Sequence, residues 1–255
     1  MSEPTEQVTV NIYNEKTVSR VSETIIRERP VEILLNGKRL VTIACAGIHL
    51  QELAVGYLRS IGMIKVFEDI GTITVSPDSS QVDILTTDPT LSGPPSLESV
   101  VLSSGSRTGQ PETRKDRILS DVSLSARQVI AFMDELLTAS ELHRMTHGTH
   151  CSALADAKQL LVSRDDIGRH NTIDMLGGYA LLSGIDCSDK IIVKTGRISS
   201  EIARKVWTLG IPIVVSHSVP TSEALGISRE AGITLIGHVR GETFKVYTNE
   251  RRVRF

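Results

Sequence analysis

The sequence predicts an α/β protein in two parts, a small mixed-sheet α+β part followed by a layered α/β part. Three observations lead there. From residue 160 onward, short apolar runs alternate with segments of helical period, the pattern of strands and helices in a layered sheet. Before residue 87 the runs are mostly strand-like, with one helix among them. Between these regions, residues 87–118 are dense in proline, glycine and serine, the composition of a flexible loop or linker. The implied division is 8–112, ending in that loop, and 113–255.

The elements follow in order. Residues 1–7 are polar, a mobile end. Residues 8–13 alternate as a strand, and 29–35 form a second. The turn pair Asn36-Gly37 sends the chain back through a strand at 39–44, which makes a hairpin. Leu50, Leu53, Ala54, Tyr57, Leu58 and Ile61 recur with helical spacing over 49–61. Residues 71–86 give two strands around Pro77-Asp78-Ser79-Ser80. After the loop, 125–138 is an amphipathic helix with Ser123 or Ser125 as N-cap. Strands at 160–162, 190–194 and 213–216 then alternate with helices at 172–182, 199–209 and 221–230. Gly184 and Gly210 close the first two of these helices. Strands at 233–237 and 243–247 finish a sheet with right-handed crossovers.

Bulk composition excludes several classes. The chain of 255 residues is 40% apolar and 23% charged, an ordinary globular balance. Aromatics make up 4%, so the core must be aliphatic. A net charge of −2 argues against nucleic-acid coating. No apolar run reaches the length of a membrane span, and Met1-Ser2-Glu3-Pro4 does not open like a signal peptide. Cys45, Cys151 and Cys187 are odd in number and far apart, which fits a reduced, cytoplasmic setting.

Chemistry concentrates in three clusters at turns beside predicted strands or helices, where open α/β sheets bind ligands. The first is the run 164–174, in which six of eleven residues are charged or ionisable. Gly168 permits close backbone approach to a ligand, Arg164 and Arg169 suit phosphate or carboxylate oxygens, and His170 suits a base, a phosphate or a metal. The same run also reads as an Arg–Asp network capping a helix. The second is Thr195-Gly196-Arg197-Ile198-Ser199-Ser200-Glu201. A glycine turn, an arginine and a serine-capped helix start favour an anion, and equally describe a plain capped turn. It lacks the Gly-Lys-Ser/Thr of a Walker loop, and no Gly-x-Gly-x-x-Gly occurs. The third is Thr146-His147-Gly148-Thr149-His150-Cys151. No Cys-x-x-Cys completes a zinc set there, so no metal is assigned. His150 reads as buried or phosphate-contacting. Cys151 reads as a buried thiol, with a reactive one as the alternative.

Together these clusters resemble the FdhD/NarQ family of formate dehydrogenase accessory sulfurtransferases. The likeness covers nearly the whole chain. It rests on Arg29-Pro30-Val31-Glu32-Ile33-Leu34-Leu35-Asn36-Gly37, Glu52-Leu53-Ala54-Val55-Gly56-Tyr57-Leu58 and Thr149-His150. It continues through Asp165-Asp166-Ile167-Gly168-Arg169-His170-Asn171 with Asp174, and Gly196-Arg197-Ile198-Ser199 with Glu201. Ser218-Val219-Pro220-Thr221 and Thr234-Leu235-Ile236-Gly237-His238-Val239-Arg240 complete it. The resemblance implies a small N-terminal α/β domain and a C-terminal cytidine-deaminase-like three-layer domain without that enzyme's zinc. It implies a homodimer that takes persulfide sulfur from a cysteine desulfurase. The sulfur passes to the molybdenum cofactor, a bis-(molybdopterin guanine dinucleotide), destined for formate dehydrogenase. A guanine nucleotide is a partial mimic of that cofactor. The residues assigned to the cofactor are Thr149, His150, Asp166, Gly168, Arg169, His170, Asp174, Gly196, Arg197, Ser199 and Thr221, with the arginines on phosphates and Asp166 or Asp174 reading guanine.

One departure bears on the chemistry. Sulfur-carrying members hold a Cys-x-x-Cys in the interdomain loop, and here Ser104 and Arg107 stand at those positions. Neither side chain carries a persulfide. Lesser departures are Met175 in place of the family's lysine and Cys151 in place of a small residue. Two readings stay open: sulfur transfer through a substitute thiol, for which Cys151 is the candidate, and a non-catalytic cofactor-binding chaperone. A third sets the resemblance aside and assigns a metal-dependent hydrolase using His143, His147, His150 and Asp166.

Overall fold

The computed structural model describes residues 3–91, 99–101 and 116–255 of the chain. Strands β1 (Thr5–Asn14) and β2 (Thr17–Ile26) pair antiparallel as a free two-stranded ribbon. Glu15 and Lys16 turn it with φ of 42° and 81°, the left-handed pair that suits a tight hairpin. A five-stranded sheet follows, in the order β5-β6-β3-β4-β7. It comprises β3 (Arg29–Leu35), β4 (Lys38–Cys45), β5 (Ile70–Val75), β6 (Gln81–Thr86) and β7 (Ser99–Val101), with α1 (Leu50–Ser60) packed on it. Alternation decides which face is covered. Val31, Ile33 and Leu35 on β3 point inward with Leu53, Leu58 and Ile84.

The second sheet is built from β9 (His150–Ala155), β10 (Leu160–Asp166), β11 (Ile191–Lys194), β12 (Ile213–Ser216), β13 (Thr234–Arg240) and β14 (Thr243–Thr248). Its order is β10-β9-β11-β12-β13-β14. Helix α2 (Ala126–Ala139) covers one face, laying Val129, Phe132, Met133 and Leu136 on Cys151, Val193 and Val215. Helices α4 (Arg169–Leu182), α5 (Ser200–Leu209) and α6 (Ser222–Ala231) cover the other. β11 and β12 are apolar almost throughout because both their faces are buried. The expected α/β class and three-layer arrangement are therefore present. A short α3 (Glu141–Thr146) precedes β9, and β8 (Leu124–Ser125) pairs with β15 (Val253–Arg254). Among the described residues, no helix is long and apolar enough to cross a membrane.

The two sheets meet where α1 crosses α4. A Cβ on Gly56 would sit 1.7 Å from the Asp174 carbonyl oxygen, and one on Gly178 would sit 2.0 Å from that of Glu52. Only glycine allows backbones that close. Polar bonds tie the same seam. Arg164 forks onto Glu52 at 2.5 and 2.7 Å, and its guanidinium lies over the Tyr179 ring. Arg59 donates to the Gly177 carbonyl at 2.9 Å. Met175 is buried in the core of the first sheet. An apolar residue fits that place, and a lysine there would need a partner.

Candidate functional site

β10, β11, β12 and β13 run in one direction and β9 in the other. The carboxyl ends of four strands and the start of β9 therefore gather on one edge of the sheet. The 167–168 turn leads into α4 and the 195–199 turn into α5. At α5, Ser199 Oγ accepts from the Ile202 amide at 3.4 Å. At α4 the N-cap is Gly168, which offers no side-chain cap, so the amides of the first turn lack that competitor for an anion.

Gly196 is the point where all three sequence clusters touch. A Cβ there would meet Arg169 Cβ at 3.1 Å, His150 Nδ1 at 3.2 Å and Lys194 Nζ at 3.3 Å. The turns themselves are stitched together. Ile198 donates to the Val219 carbonyl, Thr221 to Ile198, His217 to Lys194 and His238 to Ser218, all through backbone amides. Thr221 caps α6 by accepting from the Ala224 amide and stays exposed at the rim.

This edge is rich in cations. Arg169 is half-buried and Arg197 exposed; burial and then the Arg197 charge lower the Arg169 guanidinium from its usual value. Burial, then Lys194 and Arg169, push the His150 imidazole down to about 4, so it is neutral near pH 7. Burial likewise lowers His170, opposed by Glu201. His170 Nε2 lies 3.0 Å from Glu201 Oε2 and 3.3 Å from Ser199 Oγ. His170 Nδ1 and the buried Thr149 Oγ1 have no hydrogen-bond partner among the described residues, the kind of vacancy a polar ligand fills. These donors fit a phosphate-bearing group. A cavity of about 500 Å³ lined by Gly47, His49, Glu52, Val75 and Ser79 lies elsewhere, at the start of α1, and its lining includes no arginine or lysine.

Several expectations give way. Asp166 is fully buried and faces the seam. It accepts from the Ala46 amide at 2.8 Å, the Gly168 amide at 2.8 Å and Asn171 Nδ2 at 2.7 Å. Asp174 is buried against Lys205. With both carboxylates turned to protein donors, neither presents an acceptor to guanine. Cys151 lies in the core under α2, and burial raises its thiol, the reverse of what a reactive thiolate needs. The metal set does not assemble: His143 Nδ1 donates to the Thr149 carbonyl at 2.6 Å, Asp166 faces away, and among the described residues no three His, Cys, Asp or Glu side chains converge on an ion position. Ser104 and Arg107 lie outside the described residues.

Sequence reasoning missed Lys194. It ends β11 wholly buried, directly before the Thr195-Gly196-Arg197 turn. That adjacency, a lysine closing an all-apolar strand just ahead of a glycine-arginine turn, was the available signal.

The model of the FdhD/NarQ family matches residues 26–254. The sulfur carrier protein FdhD of Bacillus subtilis (strain 168) is 34% identical over 249 residues, covering 95% of each chain. That of Bacillus pumilus (strain SAFR-032) is 35% identical over 253 residues, covering 96% of this chain and 95% of the relative. A crystal structure of a Desulfotalea psychrophila protein assigned as a formate dehydrogenase accessory protein superimposes with a TM-score of 0.83. It is 24% identical and covers 98% of this chain and 99% of that one, a likeness of fold. The family model spans most of the chain and the relatives match it nearly end to end, and the chain belongs to the FdhD/NarQ family.

Proposed function

We propose that this protein serves formate dehydrogenase maturation by holding the guanine-nucleotide ends of a bis-(molybdopterin guanine dinucleotide) molybdenum cofactor at the carboxyl edge of its six-stranded sheet. The observation that carries the reading is the meeting of Arg169, His150 and Lys194 around Gly196. Arg169 and Arg197 would take the phosphates, with the start of α4 beside them. The neutral His150 and His170 and the Thr149 hydroxyl would supply further hydrogen bonds. The cofactor itself supplies the metal chemistry; this chain's residues bind and orient it. The proposal includes a cytoplasmic homodimer with formate dehydrogenase as client and a cysteine desulfurase as sulfur donor.

Whether this chain relays that sulfur itself turns on its thiols. The chain has three cysteines, and all three are buried. Burial pushes the Cys45 thiol up to about 12 and raises Cys151 and Cys187. By the resemblance, Ser104 and Arg107 stand where sulfur-carrying members hold the loop cysteines. These facts favour the second reading, a non-catalytic carrier that shields and delivers the cofactor.

Calorimetry with GDP tests the binding reading. Arg169→Ala and Arg197→Ala should each lose about 1.5–3 kcal/mol, roughly 10- to 150-fold in affinity. Absence of GDP binding by the wild type, or wild-type affinity in both variants, overturns it. Incubation with a cysteine desulfurase and mass spectrometry separates the two roles, and a persulfide on Cys151 would restore sulfur relay.

A further inference from the structure

We propose that Lys194 is a positioning residue of this pocket and that it gains a proton as a phosphate-bearing ligand binds. The inference rests on the phosphate-binding reading above. Lys194 is fully buried at the end of β11. Its Nζ donates to the Gly196 carbonyl at 2.7 Å and the Arg197 carbonyl at 3.2 Å. Ser216 Oγ donates to the same Gly196 carbonyl at 2.9 Å. Two donors thus draw the turn's carbonyls inward. In a planar trans peptide the N–H points opposite to the C=O. The Arg197 amide is thereby aimed away from Lys194, and Arg197 itself stands exposed.

The charge environment is one-sided. Facing Lys194 are Arg169 from α4, His150 and Cys151 from β9, Ser216 from β12 and Arg197 in the turn. His150 is neutral and the Cys151 thiol protonated near pH 7. The acids nearby are engaged elsewhere: Glu201 faces His170, Asp174 faces Lys205, and Asp166 faces Ala46, Gly168 and Asn171. Among the described residues no carboxylate pairs with Lys194. A buried ammonium without a counter-ion is costly, and it escapes that cost by losing its proton. Burial, and then the Arg169 charge, push Lys194 down to about 7. An anion arriving beside Arg169 and Arg197 supplies the missing counter-charge and draws a proton from solvent onto Nζ.

The test is GDP calorimetry at pH 8 in buffers of different ionisation heat, where the nucleotide's own phosphates are already ionised, their last pKa lying near about 6. The wild type should take up close to one proton per GDP bound, and its affinity should fall about tenfold from pH 8 to 9. Lys194→Met should bind with little or no proton uptake and a nearly flat pH profile. Lys190→Met, at the surface end of the same strand, should keep the uptake, and Lys194→Gln stands in if Lys194→Met does not fold. No GDP binding by the wild type sinks the functional reading and this inference with it. Binding without proton uptake, uptake retained in Lys194→Met or Lys194→Gln, or uptake lost in Lys190→Met overturns the inference alone.

Discussion

At the seam between α1 and α4, opposite charges meet in pairs; at the carboxyl edge of the second sheet, like charges gather. Arg164 forks onto Glu52, and Asp166 takes three donors. On the other side of α4, Arg169 lies within electrostatic reach of both Lys194 and Arg197, and Glu201 opposes only the Arg169 part of that charge. One motif supplies both regions. Asp166 and Asn171 turn toward the first sheet, while Arg169 and His170 turn toward α5 and the edge of the second. Groups satisfied within the fold speak of assembly, and like charges gathered in a cleft speak of a ligand.

Of the two regions, the seam is the more easily disrupted. Gly178→Ala sets a methyl 2.0 Å from the Glu52 carbonyl oxygen and 2.9 Å from its Cα. Backbone cannot give way as a side chain does, so α1 and α4 must part. The expected loss is about 3 kcal/mol or more in urea unfolding, and a loss below about 1 would refute so close a crossing.

Asp166→Asn is the next test, read against pH. Burial pushes the Asp166 carboxyl up to about 6, whereas an unfolded aspartate titrates near about 3.9. A raised folded value means the native state holds the proton longer. Its contribution to stability is complete below about pH 4 and is lost as pH rises to about 6, a change of roughly 3 kcal/mol. The variant should show a shallower fall across that window. An unchanged slope would mean that Asp166 is not the buried acid described.

The smallest effect belongs to the pocket. Ser199→Ala removes the α5 cap and a neighbour of His170, at about 1 kcal/mol of stability. Thermal unfolding beside GDP titration checks it; a loss above about 3 kcal/mol would make Ser199 part of the seam's kind of network instead.

Much of the fold was legible because local rules and packing agreed. Asn36 and Gly37, with φ of 51° and 75°, turn the hairpin as their types suggest. Ser199 and Thr221 start α5 and α6, and Gly210 and Gly232 end them. β2 escaped notice because its apolar residues are interrupted by Ser19, Arg20, Ser22 and Glu23, as a ribbon exposed along most of its length allows. α3 and β9 escaped because their histidines drew a chemical reading first. β7 lay inside a stretch whose composition spoke only of loop.

The site was legible in its turns and not in its depth. Lys190 and Lys194 flank one apolar strand and look alike in sequence. Lys190 pairs with Asp189 near the surface, and Lys194 is sealed beneath a turn. Only the neighbouring strands decide between them. Asp166 was misassigned for a related reason. Its partner Ala46 is 120 residues distant in the chain, and nothing local announces which side of a turn an aspartate will face.

The stitching of the three turns has a mechanical consequence. Because 195–199 hangs on Val219, Thr221 on Ile198 and His238 on Ser218, the rim behaves as one stiff plate instead of three independent fingers. Such a plate does not mould itself to its guest, so the spacing of its donors is decided before any anion arrives. Selection then falls to the guest, which must bring oxygens at that spacing or forgo the contact.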